Sequence, residues 1–263
     1  MLTADEDFEG YVIDATLGRG GYATVYRAHR AGDPDHPVAL KILDEDQRHE
    51  DQTARLRREF EFAHEIHHPH VITVYEHGPG WLTMELIDGG TSSALPGVTE
   101  KLTVLAQVAD ALDHIHHQGI VHCDVKPSNI LATKDFSRAV LTDFGVAYTV
   151  AETVDWRYAQ LEASLHYTAP ELLHGRPPSA LTDQYALAVT AVELLLGAPP
   201  FTAENPMELV DAHLNQPVPD YSDKIDWVPR IFDSVLGRAL AKIPESRYDT
   251  CAELIAQLTH ALD

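Results

Sequence analysis

Hydrophobic and polar positions change their period along the chain, and the changes divide it into two kinds of region. In the first third, short apolar runs alternate with turn residues. Residues 11–25 read as a strand, a glycine-rich turn at Gly18-Arg19-Gly20-Gly21 and a second strand. A loop over 31–37 then breaks the sheet, and Val38-Ala39-Leu40-Lys41-Ile42-Leu43 follows as an apolar strand interrupted by one lysine. Residues 51–67 switch to helical spacing, with Leu56, Phe60 and Ala63 on one face. Two more strands, 71–75 and 81–86, flank the Gly78-Pro79-Gly80 turn and complete a small five-stranded antiparallel lobe. Helical patterns dominate the rest. Residues 100–117 carry Leu102, Leu105, Ala109, Leu112 and Ile115 on one side, with Gly119 just beyond the end. Residues 182–196 are nearly all apolar, which predicts a helix buried in the middle of a larger lobe. Thr250 and Glu253 form a capping-box pattern that opens a last helix. Residues 146–163 show no clear period and read as a mobile segment holding Thr149 and Thr153.

Composition narrows the function classes. Nineteen basic against 41 acidic residues give a net charge of −22, which argues against binding a phosphate backbone and so against nucleic acid as partner. The same charge favours basic protein substrates by long-range steering, beside its plain role as a solvated surface. No apolar run reaches the roughly 18 residues of a membrane span, and the acidic start of the chain is unlike a secretory signal, so a cytoplasmic location is expected. Cys123 and Cys251 are too few for a disulfide framework and are not at a metal-ligand spacing. His64, His67, His68 and His70 crowd one segment, but Pro69 interrupts it and no second ligand cluster is evident.

The candidate chemistry lies in Ile120-Val121-His122-Cys123-Asp124-Val125-Lys126-Pro127-Ser128-Asn129-Ile130-Leu131. An apolar lead-in delivers Asp124, then Lys126 two residues on and Asn129 five residues on: a carboxylate, an ammonium and an amide on one short loop. Phosphoryl transfer needs such groups, to orient an attacking hydroxyl, to offset charge on the moving group and to hold a metal ion. Asp143-Phe144-Gly145 follows and adds a second carboxylate for the same metal.

Together these motifs resemble the eukaryotic-type protein kinases, and Asp124-x-Lys126-Pro127-x-Asn129 resembles their serine/threonine branch in its bacterial form. The resemblance implies an α+β, bilobal fold: an acidic lead-in over 1–10, an antiparallel-sheet N-lobe over about 11–87 and a mainly helical C-lobe over about 88–263. It implies ATP with Mg²⁺ or Mn²⁺ as cofactors, and proteins with Ser/Thr acceptors, including the chain itself, as substrates. Asp124 would be the base, Lys126 and Lys41 cationic clamps, and Asn129 and Asp143 the metal ligands. Lys41 lies in Val-Ala-Leu-Lys, similar to the family's Val-Ala-Ile-Lys, and Glu59 would be its ion-pair partner, with Glu61 and Glu65 as alternatives. Gly18 and Gly20 match the first two glycines of the phosphate loop, while Ala23 stands in place of the third. Leu17, Val25, Ala39, Met84 and Leu131 would border the adenine, and backbone groups of Glu85 and Ile87 would receive its edge.

Further motifs support the protein-substrate branch. Residues 164–171 resemble the family's Gly-Thr-x-x-Tyr-x-Ala-Pro-Glu, with Ser164 supplying the hydroxyl expected near Asp124 and Lys126. Arg247 matches the arginine that pairs with Glu171, and Asp183 the aspartate that holds the catalytic-loop backbone. Cys123 replaces the arginine most relatives carry before Asp124, and residues 91–97 are shorter than in most relatives. A nucleotide-binding scaffold without transfer, or a small-molecule phosphotransferase, remain alternatives on the residues alone.

Overall fold

The computed structural model describes residues 2–149 and 165–263. Contacts divide the chain into two compact units, Met1–Asp88 with Thr142–Val146, and Gly89–Leu141 with Ala147–Asp263.

The first unit is a six-stranded antiparallel sheet in the order β1-β2-β3-β4-β6-β5, with one helix. Its strands are β1 (Asp7–Phe8), β2 (Tyr11–Arg19), β3 (Ala23–Arg30), β4 (Asp33–Leu43), β5 (Val74–Gly78) and β6 (Trp81–Glu85), and α1 spans Glu50–Glu65. Alternation sorts β4: Leu40 and Ile42 join Tyr11, Ile13, Tyr26, Ala28 and Trp81 in a buried cluster on one face. Lys41, between them, points to the other face.

Three expectations need correction here. The sheet has six strands, because Glu9 and Gly10, both at positive φ, turn Phe8 back onto Tyr11. Phe8 then packs edge-on against Trp81, with ring centroids 6.3 Å apart, so part of the expected lead-in is sheet. The loop over 31–37 is instead a tight turn at Ala31 and Gly32, with Gly32 at φ +90°, and most of that stretch extends β4. Pro34 and Pro37 are tolerated there because β4 has outrun its last pair with β6, Val38↔Glu85, and has a neighbour on one side only. The strand expected at 71–75 begins at Val74 and runs to Gly78, so the turn to β6 is Pro79-Gly80 alone.

The second unit is mainly helical. Its helices are α2 (Val98–His117), α3 (Pro170–Leu173), α4 (Ala180–Leu196), α5 (Pro206–Asn215), α6 (Arg230–Ala239) and α7 (Cys251–Leu262). Two short ribbons accompany them, β7 (Ile120–Val121) with β10 (Tyr148–Thr149), and β8 (Ile130–Ala132) with β9 (Ala139–Leu141). The apolar stretch expected as a central helix is α4, buried on nearly all sides and packed on α2, α6 and α7. Ser179 N–H donates to Thr182 Oγ1 at its start, and Gly197 at φ +90° ends it. Thr250 caps α7 by accepting from Glu253 N–H at 3.0 Å, while the Glu253 side chain reaches Asp249 N–H and leaves the reciprocal half of the box unmade. Residues 148–149, expected in the aperiodic segment, form β10; Thr153 and Ser164 lie outside the described residues. Among the described residues no helix is long and apolar enough to cross a membrane.

Candidate active site

In the first unit a buried charge cluster forms where β4, α1 and Asp143 meet. Lys41 and Glu59 are 7% and 2% exposed, so neither charge would be stable without a partner. Lys41 Nζ donates to Glu59 Oε2 at 2.6 Å and Oε1 at 2.9 Å, and lies 3.6 Å from Asp143 Oδ1. Leu56, Glu59 and Ala63 are the buried positions of α1, which is why the carboxylate sits on the inward face. Of the sequence alternatives, Glu61 pairs with Arg57 at 2.7 Å on the exposed face, and Glu65 is exposed. Burial works against the ammonium of Lys41, but Asp143 and Glu59 outweigh it and push its pKa up. Burial pushes the Glu59 carboxyl up, with Lys41 pulling the other way. Each charge is thus opposed by burial and favoured by its partner.

Two side chains without a role in the sequence reading complete this cluster. Tyr22, beside the glycine turn, is held under Arg55 and Lys41, whose charges lie 4.7 Å and 5.6 Å from its ring centroid. Its hydroxyl is 3.4 Å from Asp143 Oδ2, and burial pushes its pKa up to about 12. Arg55 in turn explains Gly145: a Cβ at that position would stand 2.8 Å from Arg55 Cγ. Periodicity could have marked Arg55, one turn before Glu59 on α1, but gave no sign that it faces Gly145.

The glycine turn is informative by what it leaves open. Gly18 and Gly21 have ordinary φ and would meet nothing within 4 Å if a Cβ were added, so neither backbone conformation nor internal packing calls for glycine. The backbone at this turn is therefore open to close approach. Ala23, in place of the third glycine, is buried and pairs with Leu43 in the β3–β4 ladder. Ala39 and Met84 are cross-strand partners, and Val25 faces Lys41. Leu17 is 50% exposed, an apolar side chain without cover in its own unit. Glu85 is fixed by exchange with Thr73: its N–H donates to Thr73 O at 2.8 Å, and its Oε1 accepts from Thr73 N–H at 2.9 Å. Ile87 follows at the end of the unit, half-buried.

In the second unit, β7 leads into the polar loop and the 3₁₀ turn Pro127–Asn129 closes it into β8. Lys126 Nζ donates to Asp124 Oδ2 at 2.8 Å and Oδ1 at 3.0 Å. Asn129 Nδ2 donates to the Asp124 carbonyl at 2.8 Å and to its Oδ2 at 2.9 Å. With the amide nitrogen so used, Asn129 Oδ1 is the atom left to serve a hard cation. The loop is pinned from below. Asp183 of α4, fully buried, accepts the N–H groups of His122 at 2.7 Å and Cys123 at 2.8 Å, and pairs with His116 Nε2 at 2.8 Å. Thr190 Oγ1 donates to Val125 O, and Ser92 Oγ to Pro127 O. Cys123 takes φ +65°, a strained value for a residue with a Cβ, and Asp143 takes φ +66°. Leu131 lies in β8, half-buried and paired with Val140. Arg247 holds Glu171 bidentately at 2.9 and 2.8 Å, fully out of solvent.

The structure thus gathers Lys41, Glu59 and Asp143 in one unit, and Asp124, Lys126 and Asn129 in the other. The protein kinase domain family matches residues 11–261. The chain belongs to the protein kinase family. Its kinase domain is 35% identical to the serine/threonine-protein kinase PknJ of Mycobacterium tuberculosis over 99% of the chain and 47% of that relative. PknF of the same organism is also 35% identical, over 99% of the chain and 58% of the relative. The chain therefore spans about half the length of the curated relatives it matches. Among solved structures, a double mutant of the Mycobacterium tuberculosis PknI kinase domain is 31% identical, with TM-score 0.75 and full coverage of both chains. The bilobal α+β kinase fold and the serine/threonine branch are those expected from the motifs.

Proposed function

We propose that this kinase domain transfers the γ-phosphoryl group of ATP to Ser/Thr hydroxyls of protein substrates, its own included. The observation that carries the reading is the loop 124–129, where a carboxylate, an ammonium and an amide are bonded to one another and anchored to α4. Asp124 accepts the proton of the attacking hydroxyl and orients its oxygen. Lys126, already within 3 Å of Asp124, offsets charge that grows on the transferred group. Lys41, kept cationic by Glu59 and Asp143, steadies the phosphates that stay behind. Asn129 and Asp143 offer oxygen ligands to Mg²⁺ or Mn²⁺, which supplies charge neutralisation on the phosphates when bound. Leu17, Val25, Ala39, Met84 and Leu131 border the adenine, Glu85 and Ile87 receive its edge through their backbones, and Gly18 and Gly20 cover the phosphates.

The lobes fall at about 11–87 and 88–263, with Asp7 and Phe8 of the lead-in joining the sheet of the first lobe. The acidic surface favours basic protein segments as substrates, and the cytoplasm is the compartment in which ATP meets them. The test is incubation with γ-labelled ATP, Mg²⁺ and a basic Ser/Thr substrate protein, followed by phosphosite mapping. Label on Ser or Thr of substrate and chain supports the proposal. Nucleotide binding without transfer, or transfer only to a small molecule, contradicts it.

A further inference from the structure

Away from the catalytic groups, α2 and α7 bring Asp113, His116 and Cys251 together, with one ligand atom of each within 4.8 Å of the others. Chain distance hid this cluster from the sequence, which separates Cys251 from the other two by more than half the chain. Asp113 and His116 are three residues apart on α2 and share a face, and Cys251 is the first residue of α7. Asp113 is fixed by accepting the N–H groups of Cys251 at 2.8 Å and Ala252 at 2.9 Å. Those bonds use half of a carboxylate's acceptor sites and leave the rest available.

His116 is oriented as a ligand would be. Asp183 already accepts two backbone N–H groups, so it acts as an acceptor toward His116 too, and Nε2 carries the proton. Nδ1 therefore turns toward Asp113, 3.9 Å from its Oδ1 and beyond hydrogen-bond range. A carboxylate behind the far nitrogen is the usual outer support of a metal-bound histidine. Cys251 is buried, and burial with Asp113 and Asp183 nearby pushes its thiol pKa well up, so the metal-free thiol is protonated. Asp113 and His116 keep 16% and 9% of their side chains exposed, which opens the cluster to solvent.

We propose that Asp113, His116 Nδ1 and Cys251 Sγ form a site for a borderline divalent cation of the Zn²⁺ type, with water as fourth ligand. A sulfur, a nitrogen and an oxygen suit such an ion and disfavour Mg²⁺, which prefers oxygen alone. On binding, the Cys251 thiol proton passes to solvent and the thiolate takes the metal. Bonds of about 2.0–2.3 Å require the ligand atoms to draw in by roughly 1 Å. The ion would tie α2 to α7 and, through His116 and Asp183, brace the backbone of His122 and Cys123. The rival arrangement is a protonated His116 bridging Asp113 and Asp183 with no metal.

The reduced, chelator-stripped chain is titrated with Co²⁺ and followed by absorption, then with Zn²⁺. The expected result is one Co²⁺ per chain, with a thiolate-to-cobalt charge-transfer band that Zn²⁺ abolishes by displacement. Cys251→Ser removes the band and weakens binding on the order of 10²-fold, while Cys123→Ser leaves both unchanged. No band in the parent at saturating Co²⁺ overturns the proposal. So does a band lost in Cys123→Ser, or one that persists in Cys251→Ser. Should Cys251→Ser fail to fold, the parent and Cys123→Ser spectra decide alone.

Discussion

Lys41 shows how a residue's burial sets both its function and the cost of changing it. Taken from the sequence, a lysine in a cleft would add little to stability; at 7% exposure against a 2% exposed Glu59 it is a buried ion pair. Removing one partner leaves the other buried without its counter-charge, which costs about 3 kcal/mol. Lys41→Met is therefore expected to lose phosphoryl transfer on the order of 10²-fold or more and to lower unfolding stability as well. The double variant Lys41→Met/Glu59→Gln should recover stability in denaturant titrations without recovering transfer. Full recovery of both would remove Lys41 from the site. His213 gives a pH prediction. It is fully buried beside Tyr185 and Phe201, and burial lowers its pKa to about 4. Between that value and the ordinary value near 6.5, the unfolded chain binds a proton that the native chain does not. Its contribution is thus complete above about pH 6.5 and is lost as pH falls toward 4, at up to roughly 1.4 kcal/mol per pH unit. Replacing His213 by Gln should flatten the pH dependence of stability in that window; an unchanged slope assigns it elsewhere.

At the scale of elements, what the chain showed in advance followed from period and spacing. The apolar run of α4, the stripe of α2 and the Asp124–Asn129 spacing were legible because each is a local pattern. The β1 hairpin was not, because Phe8 earns its place only against Trp81, a contact that local pattern does not carry. Nor was the contact of Tyr22 with Asp143, 121 residues away. The loop before Asp124 bears a prediction of its own. Asp183 holds the N–H groups of His122 and of the strained Cys123 itself, so backbone bonds rather than the side chain at 123 fix this turn. A thiol also cannot grip a phosphate bidentately as an arginine does. Protein carrying Thr149→Ala and Thr153→Ala, made free of phosphate, is expected to phosphorylate an added substrate at nearly the parent rate. A fall on the order of 10²-fold, with the parent activated by phosphorylation at either threonine, would mean that another cation reads that phosphate.

At the scale of the whole molecule, the second unit is tied together by Glu171 and Arg247, 76 residues apart and both buried. Arg247 also donates to the Leu181 and Ala241 carbonyls, so it ties the start of α4 and the residues after α6 to Glu171. Arg247→Met alone should cost about 3–5 kcal/mol by stranding Glu171, and Glu171→Leu with Arg247→Met should cost less in thermal unfolding than the sum of the two single changes. Equal, additive losses would show that the two do not act as a pair. The central claim is that a loop anchored on α4 supplies the base for phosphoryl transfer. Its most direct test is the rate of γ-label transfer from ATP to a Ser/Thr substrate by Asp124→Asn, compared with the parent at equal folding and nucleotide affinity. The variant keeps an acceptor for Lys126 but loses the carboxylate. Transfer should fall on the order of 10²-fold or more with ATP binding retained, whereas a parent-like rate would contradict the role of Asp124 and the reading built on it.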